Sequence, residues 1–263
     1  GNVLVAGYTS SANFPVTVGV YQTNLATAGF EDAFVVKFNS AGNRLWATYY
    51  GGPGDDQGRS ITIDASGNVY MAGLTDSPSG IASGGHQNSY GGGTSDVFLV
   101  KFNSVGVRQW ATYYGGTGME QPGSGNSIAT NASGDVYLAG ATGSAASIAS
   151  GGFQNTYTSG NDGFFVKFNS AGVRQWATYY GGTGGWDSVD GVAIDASSGD
   201  VYCGGITPSS SGIASGGYDN TQGGGGADDA FLVKFNAAGA RLWATYYGGT
   251  GSDYGVGVAS DAS

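Results

Sequence analysis

Residues 44–52 read RLWATYYGG, and near copies stand at 108–116 (RQWATYYGG), 174–182 (RQWATYYGG) and 241–249 (RLWATYYGG). A phrase rich in Trp, Tyr and Thr has the composition of a strand, and its paired glycines that of a turn. Working outward, each copy follows an apolar run: DAFVVKF (32–38), DVFLVKF (96–102), DGFFVKF (162–168) and DAFLVKF (229–235). Between run and phrase lie turn formers such as NSAGN (39–43), so the two segments predict a hairpin.

A second hairpin follows from SITIDAS (60–66), whose apolar residues alternate and which ends in a tight-turn composition leading straight into NVYMAGLT (68–75). The order is therefore strand A, turn, strand B, a long Gly/Ser-rich loop, strand C, turn, strand D. Equivalent residues Gly1, Gly67, Gly134 and Gly199 mark four repeats, about 1–66, 67–133, 134–198 and 199–263. Four antiparallel strands repeated radially predict an all-β fold. Residues 1–263 would form a single β-propeller domain of four four-stranded antiparallel blades that bury both faces against their neighbours. The run Phe34, Val35, Val36 and Phe38 is apolar on both sides, as such burial requires. The chain opens on a strand B and finishes on GVGVASDAS (255–263), a strand A, so joining Ser263 to Gly1 restores the repeat. The expectation is that the C-terminal strand completes the first blade, a 3+1 closure made within the chain or from a neighbouring subunit.

Asp32, Asp96, Asp162 and Asp229 each precede Trp46, Trp110, Trp176 or Trp243 by a constant spacing. Lys37, Lys101, Lys167 and Lys234 stand at one fixed place between, and Arg44, Arg108, Arg174 and Arg241 at another. Locking eight of the nine basic residues to the repeat points to a blade-stabilising set, each Trp filling an inter-blade wedge. Sorting charge by strand direction places these cations, with Asp64, Asp135, Asp195, Asp200 and Asp261, on the tight-turn rim at a formal +3, and leaves −13 on the long-loop rim. A disc polar in this way suits head-to-tail contacts sensitive to salt.

The net charge of −10 argues against nucleic acid and anionic membrane surfaces as partners, and no apolar run approaches the ~18 to 20 residues of a membrane span. The lone Cys203 stands where other units have Val5, Met71 and Leu138, so it reads as a buried apolar position. The lone His86 stands where they have Tyr21, Phe153 and Tyr218, and reads as a ring packed on the long loop. One histidine supports neither a Ser-His-Asp triad nor a multi-His zinc site, so no catalytic residue and no cofactor are assigned. Calcium is the one candidate ion, through Asp55, Asp56, Glu120, Asp187 and Asp253 in the connections before strand A, though EF-hand spacing is absent.

The motifs GNVYMAGLT (67–75), FPVTVGVYQTN (14–24), DAFVVKFNSAGNRLWATYYGG (32–52) and GRSITIDASGNVY (58–70) resemble the bacterial β-propeller repeat family SBBP, and the likeness extends over nearly all of the sequence. That resemblance implies a propeller fold, a prokaryotic source and an exported or surface-attached setting, with no shared catalytic motif. The functional expectation is a non-enzymatic extracellular structural protein, a homo-oligomer forming a filament or layer. The alternative is a cell-surface adhesin or carbohydrate-binding propeller using Tyr21, His86, Phe153, Tyr218 and Trp186 on the long-loop face.

Overall fold

The structure is a computed structural model and describes residues 1–224 and 227–261. Gly225 and Gly226 of the run GGGGADD lie outside the described residues, as do Ala262 and Ser263, and with them the Ser263–Gly1 junction. The described residues form strands without helices, so no helix is long and apolar enough to cross a membrane.

Four antiparallel sheets follow one another along the chain. The first contains β1 (Val3–Thr9), β2 (Asp32–Phe38) and β3 (Arg44–Tyr50). The second runs β4 (Asp56–Ile63), β5 (Val69–Thr75), β6 (Asp96–Phe102), β7 (Arg108–Tyr114). In the third, two short strands, β8 (Glu120–Pro122) and β9 (Ile128–Thr130), both pair with β10 (Val136–Thr142), which pairs with β11 (Asp162–Phe168) and it with β12 (Arg174–Tyr180). The fourth is β13 (Ser188–Ile194), β14 (Val201–Thr207), β15 (Asp229–Phe235), β16 (Arg241–Tyr247). Strand A packs on strand A from blade to blade, β4 beside β9 and β9 beside β13. The fold is a β-propeller of antiparallel blades, as the repeat predicts.

Local chemistry sets the tight turns. Asn39 Oδ1 accepts the amides of Ala41 and Asn43, and Asn103, Asn169 and Asn236 do the same in their units. This side-chain mimic of a backbone turn closes every C–D hairpin. Asp64 and Asn131 play the same part between strands A and B.

The first sheet has three strands, and β1 is its edge. Pairing of the C-terminal segment with β1 is not seen among the described residues. Residues 248–261 form no strand, and the segment around Val256 to Val258 lies against Gly125, Gly191 and Gly204. Ser260 Oγ donates to the Ile194 carbonyl at 3.1 Å, as Thr130 Oγ1 donates to the Ile63 carbonyl at 3.0 Å two units earlier. The segment thus holds the inner place of a further unit beside the fourth blade but lacks a strand B to pair with.

Candidate functional site: the blade junctions

Three junctions join the four sheets, and each repeats the same contacts. Trp46 Nε1 donates to the Ser104 carbonyl at 3.1 Å, Trp110 to Ser170 at 3.0 Å and Trp176 to Ala237 at 3.1 Å. All three indoles are buried. Each lies under a glycine of the next blade's turn: Gly106, Gly172 or Gly239, all at positive φ. A Cβ on Gly172 would stand 2.7 Å from the Trp110 ring, so the wedge requires glycine there. Tyr50, Tyr114 and Tyr180 donate their hydroxyls to Ile81, Ile148 and Ile213 at 2.6 to 2.7 Å. Their rings pack on Phe98 and Phe102, on Phe164 and Phe168, and on Phe231 and Phe235.

The repeat-locked cations make repeated contacts, some across the junctions and some within a blade. Lys37 Nζ donates to Ser104 O at 3.1 Å and Lys101 Nζ to Ser170 O at 3.0 Å, and both side chains are buried. Lys167 pairs with Asp135 at 3.0 Å and Lys234 with Asp200 at 2.8 Å. Arg108, Arg174 and Arg241 donate to the carbonyls of Ile81, Ile148 and Ile213, and Arg44 donates to that of Pro15. The acids are equally internal: Asp32, Asp56, Asp96, Glu120, Asp162, Asp187 and Asp229 are fully buried. Part of the charge counted on the two expected rims is therefore internal, because the stems of Lys37 and Lys101 reach the next blade's backbone and bury their charge on carbonyls.

The acids form pairs that sequence reading missed. A Cβ on Gly51 would lie 2.5 Å from Asp32 Oδ1 and 2.9 Å from Asp56 Oδ2, so both carboxyls close on one glycine. Asp96 with Glu120 flanks Gly115, Asp162 with Asp187 flanks Gly181, and Asp229 with Asp253 flanks Gly248. The second acid of each pair lies at or just before strand A, or for Asp253 at the matching place of the C-terminal segment, and accepts the amide of Gly52, Gly116, Gly182 or Gly249 at 2.7 to 3.0 Å. Hydroxyls of strand B complete the seat. Ser77 donates to Asp56 at 2.8 Å, Thr142 to Glu120 at 2.6 Å, and Thr207 and Ser209 both to Asp187. The recurring Thr-x-Ser at 75–77, 142–144 and 207–209 is the signal that marks these seats in the sequence. Burial pushes Asp56 and Asp96 up to about 7 and Asp187 to about 6, and also raises Asp32 and Asp162. Asp32 Oδ1 and Asp96 Oδ1 are buried without a donor, and a proton kept on each of these pairs supplies one.

For calcium, Asp55 lies apart from the seat, accepting the Glu31 amide at 2.8 Å. Asp56, Glu120 and Asp187 are satisfied by N–H and O–H donors. Among the described residues, no three acids, histidines or cysteines gather as a metal centre would need.

The ring positions proposed for ligands fall at separate junctions. Arg108 sits 4.2 Å over the Tyr21 ring and Arg241 4.2 Å over Phe153. His86 lies 6.2 Å from Phe168, its pKa lowered by burial and by Arg174. Trp186 bridges to Asn161 beside the third acid pair. Tyr218 has no such cover and is 89% exposed. Cys203 is buried in β14, and burial pushes its thiol well up.

The two end faces carry the halves of a junction. On the fourth sheet Trp243 is only partly buried, its indole N–H has no acceptor among the described residues, and Tyr247 is 73% exposed where Tyr50 is fully buried. On the first sheet Val5 is 44% exposed where its counterpart Met71 is fully buried, and a Cβ on Gly42 would meet nothing within 4 Å.

Comparison with known proteins agrees with this geometry. Residues 45–80, strand D through strand B across the first junction, match the family model described as the SBBP beta-propeller repeat. That stretch carries one SBBP repeat. An uncharacterized WD repeat-containing protein, L264, of Acanthamoeba polyphaga mimivirus is 26% identical over 95% of this chain and 22% of its own length. The regulatory protein FlaEY of Caulobacter vibrioides is 27% identical over 64% of this chain and 18% of its own. The chain thus spans about a fifth of the length of these two relatives. A crystal structure of a protein of unknown function from Bacteroides caccae aligns over 85% of this chain and 81% of its own, with 12% identity and a TM-score of 0.24.

Proposed function

We propose that this propeller is a non-enzymatic structural subunit, working outside the cell or on its surface, that joins copies of itself head to tail. The free face of the fourth sheet meets the free face of the first sheet of a neighbour, and repetition of that contact builds a filament or layer. One observation carries this reading. Trp243 and Tyr247 present, with no neighbouring blade against them among the described residues, the same groups that Trp46 and Tyr50 use at the first junction, while Ser40, Gly42, Phe34 and Phe38 hold the matching places on the first sheet. Such a contact is heterologous, so it propagates when its rotation does not close.

Sedimentation and negative-stain electron microscopy of the purified chain test the reading. Fibres, ribbons or a ladder of oligomers growing with concentration are expected. A monomer at every concentration and salt overturns it.

A further inference from the structure

The three junctions repeat one another closely, and the middle one departs from the others at two side chains that share a groove. At the first junction the Tyr21 ring of one blade meets Gly80 and Arg108 of the next, and at the third the Phe153 ring meets Arg241. Gly80 and Gly212, which precede Ile81 and Ile213, both take positive φ. Between the second and third blades a histidine replaces the Tyr or Phe, and a serine replaces the glycine. His86 keeps the ring's place, 6.2 Å from Phe168 as Tyr21 is 6.4 Å from Phe102. Ser147 keeps the glycine's backbone at a φ of 72°, and is the one non-glycine with positive φ among the described residues. Glycine serves the fold at both other junctions, so strain accepted here for a hydroxyl points to a use for that hydroxyl.

Both residues open on a groove of about 460 Å³, within the ~300 to 1,000 Å³ of small-molecule sites. Arg174 pins one lip, its Nη1 donating to the Ser147 and Ile148 carbonyls at 3.4 and 3.1 Å. Ser89 and Thr117 bring two more exposed hydroxyls to the lining, and Tyr90 a half-buried ring held edge-on to Tyr113. Among the described residues, the hydroxyls of Ser89, Thr117 and Ser147 and both nitrogens of His86 make no hydrogen bond to the chain.

The surrounding charges decide what this groove can hold. Burial and the neighbouring Arg174 hold the His86 pKa below its usual value, so at pH 7 the ring is neutral and offers one donor and one acceptor. The same guanidinium opposes a metal ion on the imidazole. Asp96 and Glu120 lie behind Gly115, and with Asp76 they also face Tyr90, so an anion is opposed from that side. The lining suits an uncharged molecule with several hydroxyls and an apolar face to lay on Tyr90.

We propose that the groove between the second and third blades binds a neutral saccharide, with His86, Ser89, Thr117 and Ser147 hydrogen-bonding its hydroxyls and Tyr90 covering its C–H face. The site lies at an internal junction and is independent of the head-to-tail reading.

His86 is the chain's only histidine, so its imidazole gives one set of NMR signals that reports on this groove alone. The intact chain is titrated with glucose, galactose, mannose, N-acetylglucosamine and their disaccharides, and with glucuronate and inorganic sulfate as charged probes. A saturable shift of the His86 signals with at least one neutral sugar is expected. His86→Phe, which restores the residue type of the third junction, is expected to weaken binding of that sugar about tenfold or more by calorimetry, with unchanged circular dichroism. Ser147→Gly is expected to weaken it about threefold or more while raising the melting temperature, a pairing that a merely structural serine would not show. The wild-type titration decides the matter if either variant fails to fold. No shift with any neutral sugar up to about 0.1 M overturns the proposal. A shift with glucuronate or sulfate alone makes the occupant an anion and overturns it too, as does sugar binding undiminished in both variants, which places the sugar elsewhere.

Discussion

Gly172 and Gly42 hold the same place in two C–D turns, both at positive φ, yet they differ in what lies above them. The first carries Trp110 against its α-carbon, and the second faces open space. Gly172→Ala therefore adds overpacking to backbone strain and should cost about 2 to 4 kcal/mol, against about 1 to 2 kcal/mol of strain alone for Gly42→Ala. Urea unfolding midpoints of the two variants check the difference, and equal losses would show that the indole yields freely. Much at this level is legible in the sequence. The constant spacing of Asp32, Lys37, Arg44 and Trp46 across four units ties them to the blade, because a surface ligand site has no reason to recur in every wedge. Their destinations are not legible. Counting charges treats Lys37 as a solvated cation, while its Nζ reaches a carbonyl of the following blade, a contact between residues 67 apart in sequence.

Strand A gains its acid head at a cost that varies with pH. Asp56 and Asp96 are pushed up to about 7 and Asp187 to about 6 in the folded chain by burial, against about 4 when unfolded. The folded state binds more protons than the unfolded chain between about pH 4 and 7, so stability falls as pH rises through that window. The melting temperature should drop by several degrees between pH 4.5 and 7.5, as read by scanning calorimetry at fixed ionic strength. A flat profile would mean that the pairs ionise freely. The hairpins themselves are readable from Asn39, Gly42 and their copies, since turn chemistry is local. Strand A is readable only from Ser60 onward, although it begins at Asp56. A strand opening on Asp-Gln-Gly looks like loop until the hydroxyls of Thr75 and Ser77, about twenty residues further on, are known to receive the carboxylate.

For the whole molecule, the number of blades follows from the repeat, but the open edge at β1 does not, because a circular repeat reads the same whether or not its ends meet. Burial of the cations also changes what should drive association. With Lys37, Lys101 and the paired acids internal, the end faces meet through Trp243, Tyr247, Val3 and Val5, three of which stay largely exposed in the single chain. Raising NaCl from 50 to 500 mM should leave the assembled fraction within about twofold, since screening acts on charges and not on apolar area. Dissolution of the assemblies by salt, measured by light scattering, would restore charge as the driving force. One irregularity separates the third blade from the rest. Between β8 and β9 the excursion 123–127 leans on the fourth blade, the Ser124 amide donating to Asp190 Oδ1 at 2.9 Å and the Gly125 amide to the Asp190 carbonyl at 3.1 Å, with Gly125 also against Val256. It ties the third sheet to the fourth through Asp190, so removing 123–127 would take away a tether between neighbouring sheets that the repeat itself does not encode.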